Sequence, residues 1–158
     1  MVKKEIDDFW LEYFSHVYSV NSAHLPVYGQ ERKKILSIAE SLVSALNLPY
    51  QIVQLASGDL AFPSAETIDI ETWMPSQNKY RETHSISTTT DFQSRRLNIK
   101  YIKDQKSNIK DYAHILNGTA FAIGRTIISI LENYQEIDGN VLIPKILQKY
   151  LHFEKITP

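Results

Sequence analysis

The chain has 158 residues, 43% of them hydrophobic and 22% charged, which is enough for one domain with a real core. Seventeen Lys and Arg against eighteen Asp and Glu leave a formal charge of −1, so no global field drives it onto nucleic acid or an anionic membrane. The lack of any cysteine excludes disulfide scaffolds, cysteine-ligated zinc and thiol catalysis.

Lys3 and Lys4 are followed by Glu5, Asp7 and Asp8 where a signal peptide needs an apolar run. No uncharged run approaches membrane-spanning length, so a soluble, cytoplasmic protein without a membrane partner is expected. Ile6, Phe9, Trp10, Tyr13 and Val17 form a helical stripe, predicting a first helix over about 5–19. Asn21, Ser22, Pro26 and Gly29 break the pattern, and residues 21–30 read as a loop. Ile35, Ile38, Ala39, Leu42 and Leu46 then repeat the helical spacing until Asn47 and Pro49.

Beyond Tyr50 the pattern turns β-like. Tyr50–Leu55 is a short strand, Ser57-Gly58-Asp59 a turn, and 67–74 an alternating strand with Ile68, Ile70 and Met74 opposite Asp69, Glu71 and Trp73. A polar loop is expected after Pro75 and Asn78, then a strand carrying Leu97, Ile99 and Tyr101, then an exposed loop over 103–110. Tyr112–Leu116 can form a further strand and Asn117-Gly118 a turn. Ile127, Ile128, Leu131 and Tyr134 lie at helical spacing before Asp138-Gly139, and a strand at 141–143 with a short helix after Pro144 closes the chain. Strands that follow strands without helical crossovers predict an α+β domain, an antiparallel sheet with flanking helices, over residues 1–158.

The five histidines do not pair at metal-ligand spacing, and no nucleophile elbow, Walker A loop or dinucleotide fingerprint occurs. Two segments can carry chemistry. In Asn78–Ser85, Arg81 offers a guanidinium fork, while Glu82 and Ser85 offer hard oxygen ligands of the type Mg²⁺ takes beside phosphates; a solvated polar loop is the plainer alternative. In Leu116–Thr126, small residues lead from a strand into a helix, where Arg125 can pair with a phosphate and Gly124 permits close approach; a tight junction with an exposed arginine is the alternative. Asp69 and Glu71 share a strand face and read as its wet side, without a role. Arg95, Arg96, Lys100, Lys103, Lys106 and Lys110 read as a solvated surface diluted by Asp91, Asp104 and Asp111.

Taken together, these segments resemble the C-terminal part of the catalytic domain of the seryl-tRNA synthetases, class II aminoacyl-tRNA synthetases. The resemblance is carried by Thr67-Ile68-Asp69-Ile70-Glu71-Thr72-Trp73-Met74-Pro75, Gln77-Asn78-Lys79-Tyr80-Arg81-Glu82 and Thr90-Asp91-Phe92-Gln93-Ser94-Arg95-Arg96-Leu97-Asn98-Ile99. It continues in Leu116-Asn117-Gly118, Ala122-Ile123-Gly124-Arg125-Thr126, similar to class II motif 3, and Leu131-Glu132-Asn133-Tyr134-Gln135, ending with Asp138-Gly139 and Ile143-Pro144. The match covers roughly residues 35–151.

The resemblance implies ATP-dependent activation of serine to seryl-adenylate and transfer to tRNA(Ser). By the family's pattern Glu82 and Ser85 hold Mg²⁺ on ATP, residues Glu82, Thr83, His84 and Ser85 form an ATP-binding strand end, Arg125 meets the γ-phosphate and Thr119 meets serine. Arg125 and Glu82 are then the catalytic residues. Thr119-Ala120 stands where the family usually has Ser-Gly, and Thr83-His84 where it commonly has Ile-Ser. Nothing resembles motif 1, motif 2 with its α-phosphate arginine, the serine-recognising loop or the tRNA-binding arm. The expectation is therefore a partial core that needs an upstream fragment and is inactive alone, with the family's homodimer put in question. The competing expectation is a non-catalytic, synthetase-derived module that binds a nucleotide or a protein.

Overall fold

The computed structural model describes residues 25–104, 106 and 108–158, so the helix expected at 5–19 lies outside the described residues. Helix α1 runs Leu25–Ala45, ten residues earlier than the apolar stripe suggested, and the loop expected up to residue 30 is helical from Leu25 onward. Pro26 causes no break because it stands in the first turn, where its missing N–H would have no intrahelical acceptor anyway. Ala39 and Val43 are the buried apolar residues of the helix, and Leu46, just past its end, is buried as well. Asn47 ends the helix in the left-handed conformation at φ 53°, which asparagine tolerates better than a branched residue.

Four strands form an antiparallel sheet in the order β1-β2-β3-β6: β1 is Tyr50–Gln54, β2 Glu66–Met74, β3 Lys79–Thr88 and β6 Leu116–Gly118. β1 pairs with β2 from Tyr50↔Thr72 to Gln54↔Ile68, and β3 pairs with β6 from Ile86↔Gly118 to Thr88↔Leu116. The polar loop expected after Asn78 is thus strand β3. A 3₁₀ turn at Pro75–Gln77, closed by Asn78 at φ 50°, reverses the chain into it, and its side chains look polar because Thr83, His84, Ser87 and Thr88 are buried polar groups. Asn117-Gly118, expected as a turn, instead pairs with Ser87 and Ile86.

The chain divides into two compact units. The first comprises the start of α1, Leu55–Thr67 and Ile86–Gly118. Where a strand was expected from Leu97, it holds the short helix α2, Phe92–Leu97. Contacts one turn apart favour the helix: Arg95 Nε donates to Asp91 Oδ2 at 2.8 Å, and the Arg96 guanidinium lies 3.4 Å from the Phe92 ring centroid. Asn98 ends it at φ 55°, leaving the strand to start at Lys100. β4 (Lys100–Asp104) and β5 (Ile109–Tyr112) form a hairpin where an exposed loop was expected, and Tyr112 packs under the cations of Arg95 and Lys100 at 4.9 and 4.8 Å.

The second unit comprises Leu36–Gln54, Ile68–Ser85 and Thr119–Pro158. Its core gathers Val43 of α1, Leu46 and Leu48 just beyond that helix, Ile70 and Met74 of β2, and Val141 and Ile143. Helix α3, Ile123–Tyr134, falls where its apolar spacing placed it. The Tyr134 hydroxyl donates to Leu46 O at 2.7 Å, and Asn133 Nδ2 donates to Trp73 O at 2.9 Å, fixing the end of α3 against α1 and β2. Beyond it, β7 (Val141–Leu142) pairs with β8 (Lys155–Ile156) around α4 (Lys145–Leu151). Among the described residues no helix is long and apolar enough to cross a membrane.

Candidate functional site

The second unit contains a cavity of about 490 Å³ whose walls come from β2, β3 and α3. β2 contributes Asp69 and Glu71, two residues apart and therefore on one face. Tyr80, Arg81 and Glu82 come from β3, and α3 supplies Arg125 and, one turn on, Ile128.

Main-chain bonds carry α3 to this position. Thr119 N–H donates to Ser85 O at 2.9 Å and Ala122 N–H to Thr83 O at 3.1 Å, so the chain leaving β6 stays beside β3 until α3 begins. At the far end of α3, Glu132 accepts from the Ser76 amide at 2.9 Å and the Ser76 hydroxyl at 2.8 Å, clamping the helix to the turn before β3. Held at both ends, α3 brings Arg125 to Glu82, 43 positions away in sequence. The guanidinium Nη1 donates to Glu82 O at 2.9 Å and lies 3.1 Å from Glu82 Oε2. Both side chains stay about half exposed, 54% and 43%, so the pair is screened and can be exchanged for other partners at small cost.

Asp69 is the unusual group. Although it lines the cavity it is only 6% exposed, and its Oδ1 has no hydrogen-bond partner among the described residues. Burial pushes its pKa above the ordinary 3.8; the negative charges of Glu82 and Glu71 act the same way, while a hydrogen bond with the Ser85 side chain and the charge of Arg125 pull it down. The expectation that Asp69 and Glu71 form a wet face is corrected: that face is where the sheet meets the cavity, and Asp69 is covered.

The four consecutive residues 82–85 divide. Glu82 lines the cavity and Ser85 is half-buried beside Asp69. Thr83 and His84 are fully buried instead, breaking the strand's alternation. Thr83 Oγ1 donates to Ile70 O at 3.2 Å, and His84 Nδ1 lies 3.0 Å from Thr83 Oγ1 with its ring 5.1 Å from that of Phe121. Burial holds His84 below the ordinary 6.5, with the Ala120 backbone opposing. Thr119 is exposed and does not line the cavity. Nothing lies within 4 Å of the position a Cβ would take on Gly124, so the chain's own packing does not require glycine there.

Residues 14–134 match the family model of the tRNA synthetase class II core domain (G, H, P, S and T). The chain belongs to this class II synthetase core family. It is similar to serine–tRNA ligases of Wolbachia pipientis wMel, 50% identical over 123 residues, and Aliarcobacter butzleri, 53% identical over 119. Those matches take in 78% and 75% of this chain but 29% and 28% of the relatives, so the chain spans less than a third of their length. Among solved structures it resembles seryl-tRNA synthetase from Pyrococcus horikoshii complexed with ATP, with a TM-score of 0.78 and 47% identity over 82% of this chain and 29% of that one. It also resembles the cytoplasmic serine–tRNA ligase of Naegleria fowleri in complex with AMP, with a TM-score of 0.74 and 35% identity over 81% of this chain and 30% of that one. The mixture of helices and antiparallel sheet is thus that of the class II core, of which this chain carries a part.

Glu82 and Arg125, two of the residues singled out in the sequence, meet at the cavity. Asp69 and Glu71 were visible only as a strand's polar face, because their spacing is the same whether water or a helix covers the sheet.

Proposed function

We propose that this class II core chain carries part of the active site of a serine–tRNA ligase, binding ATP, activating serine as seryl-adenylate and passing the seryl group to tRNA(Ser). The observation that carries this reading is the pairing of Arg125 with Glu82 at the cavity, in a chain at least 44% identical to several serine–tRNA ligases. The solved relatives complexed with ATP and AMP support a nucleotide as the occupant.

The chemistry of the residues agrees. Arg125 offers a forked donor to phosphate oxygens, and its pairing with Glu82 is weak enough to be given up when a polyphosphate arrives. Glu82 and Ser85 offer one carboxylate and one hydroxyl, a donor set that fits Mg²⁺, which usually takes one or two protein oxygens and completes its shell with phosphates and water. That ion supplies charge neutralisation on the phosphates when bound. The serine carboxylate attacks the α-phosphate, the bond to the β-phosphate breaks and pyrophosphate leaves; a hydroxyl of the terminal adenosine then attacks the seryl carbonyl and AMP leaves. On this chain Arg125 orients the outgoing end of the polyphosphate, the main chain at 83–85 forms the strand edge beside the nucleotide, and exposed Thr119 offers a hydroxyl to serine. With Thr83 and His84 turned inward, their contribution at that edge is through the backbone.

The test is serine-dependent ATP–pyrophosphate exchange, measured on the chain alone and mixed with the part of a related serine–tRNA ligase upstream of the matched segment. The expected result is negligible exchange alone and serine-specific exchange on mixing. ATP–Mg²⁺ binding without exchange in either case would favour a non-catalytic nucleotide-binding module, and no ATP binding at all would refute the assignment of the cavity.

A further inference from the structure

Six of the seventeen Lys and Arg lie within residues 91–112, against three of the eighteen Asp and Glu, in a chain whose formal charge is −1. Along the sequence the acids dilute the cations, but the pleat of the hairpin separates them. Its register opposes Lys100 to Tyr112, Tyr101 to Asp111 and Ile102 to Lys110. Opposed residues share a face and successive pairs alternate, so Lys100, Tyr112, Ile102 and Lys110 stand on one face and Asp111 on the other. Lys103 joins Asp111 there, its Nζ 3.4 Å from Oδ2. Of the remaining acids, Asp91 already accepts from Arg95 at 2.8 Å, and Asp104 stands at the turn end of β4, past the register shift after Ile102.

The first face is also ordered. The Arg95 guanidinium of α2 lies 4.9 Å from the Tyr112 ring centroid and the Lys100 ammonium 4.8 Å from it, so one half-buried ring steadies two exposed cations. Neither Lys100 nor Lys110 is paired with an acid among the described residues. They occupy diagonal positions of the strand pair, which lie about 7–8 Å apart, a separation comparable with the step between successive phosphates of one RNA strand. Ile102, 52% exposed, is the apolar content of that face of the hairpin, too little to seat it in a bilayer.

We propose that this face of the β4–β5 hairpin, together with Arg95, is an RNA-backbone contact in which Lys100, Lys110 and Arg95 meet phosphates of tRNA. The choice of RNA as occupant rests on the reading above, in which tRNA is the acceptor. Such contacts add affinity and orientation and do not read base identity. Arg95 shares its exposed guanidinium with Asp91, and at a screened surface that pairing is exchanged for a phosphate at small cost.

The experiment titrates a labelled tRNA(Ser) transcript with the full chain and reads fluorescence anisotropy between about 50 and 200 mM salt, with circular dichroism and urea midpoints confirming that each variant is folded. Lys100→Gln combined with Lys110→Gln lowers affinity roughly tenfold or more at the lower salt and flattens the plot of log affinity against log salt by about 1.4–1.8, the loss of two phosphate contacts. Adding Arg95→Gln deepens both effects. Lys103→Gln, the same charge change on the opposite face, leaves affinity within about threefold of the parent. A double variant that binds like the parent overturns the proposal, as does a Lys103→Gln loss equal to that of Lys100→Gln alone. So does a parent chain that ignores the transcript at the lower salt, or that binds phosphatidylserine vesicles in its place. Serine-dependent exchange on mixing, with no RNA binding by this chain, refutes the contact alone. RNA binding that is lost with Lys100 and Lys110, in a chain that gives no exchange with the upstream part, refutes the ligase reading and leaves the contact standing.

Discussion

Replacing Arg125 by alanine separates what this side chain does for the fold from what it does for a ligand. Its contacts are one hydrogen bond to Glu82 O and one ion pair to Glu82 Oε2, both made by a guanidinium that is 54% exposed. An exposed pair of this kind contributes about 0.2–1 kcal/mol, and a solvated side-chain bond to a carbonyl adds little more. Arg125→Ala therefore lowers the unfolding free energy by on the order of 1 kcal/mol, read as a small change in urea midpoint at constant slope. A charge-assisted bond from the same guanidinium to a phosphate is worth about 1.5–3 kcal/mol, so ATP–Mg²⁺ affinity should fall roughly 10- to 150-fold. AMP, which lacks the γ-phosphate, should bind the variant within about threefold of the parent if Arg125 meets that phosphate. Calorimetric titration of both nucleotides at two salt concentrations makes the comparison, and the loss for ATP shrinks at high salt. An ATP affinity unchanged by the substitution, or an equal loss for AMP, would falsify the γ-phosphate placement; a stability loss above about 3 kcal/mol would show that Arg125 is chiefly structural.

Asn133→Ala removes a donor shared by Trp73 O and Ser129 O, and should cost about 1–2 kcal/mol in urea unfolding; a loss below about 0.3 kcal/mol would mean the end of α3 is not held through Asn133. The fully buried His84 has a folded-state pKa below the unfolded 6.5, so above that pH both states are neutral and the group is silent. As pH falls below 6.5 the unfolded chain takes the proton first and stability drops, levelling off once the folded pKa is passed. Unfolding midpoints measured between pH 8 and 5 should show this slope and His84→Ser should flatten it, whereas equal slopes would remove His84 as its source. Asp69 has the opposite sign: its folded pKa lies above 3.8, so the favourable contribution present below 3.8 disappears as pH rises through the folded value. Asp69→Asn should therefore raise the melting temperature at pH 7 more than at pH 3, and an equal change at both would contradict the desolvation argument.

What was legible in the sequence follows from which forces act locally. The alternation from 67 to 74 specified β2 because burial of one face writes itself into the period of the sequence, whereas the apolar spacing of Ile127, Ile128, Leu131 and Tyr134 matched α3 although the first three stay exposed and Thr126 and Ser129 are the buried residues of that helix. β3 was missed because many of its inward positions are polar: Thr83, His84 Nδ1 and Ser87 make hydrogen bonds that composition does not reveal, while the Thr88 hydroxyl is buried without a partner among the described residues. α2 was missed because six residues are too few to show a period; Asp91–Arg95 and Phe92–Arg96, each four apart, were the available signal. The early start of α1 was hidden by reading Pro26 as a breaker, when its effect depends on whether it stands inside a helix or in its first turn.

The site was legible to a different depth. Glu82 and Arg125 could be picked out because a carboxylate and a guanidinium among small and polar residues suggest phosphate chemistry, but their meeting depends on contacts with no sequence period: Thr119 N–H to Ser85 O, Ala122 N–H to Thr83 O, and Glu132 to Ser76. Those contacts make the buried pair Thr83–His84 part of the site's construction. Turning both side chains inward locks the register of β3, and the carbonyls of Thr83 and Ser85 are then the acceptors that hold the chain entering α3. A change at Thr83 or His84 would therefore reach Arg125 without either side chain touching a ligand. A substitution at either position is therefore, in this fold, first a change in the support beneath the cavity.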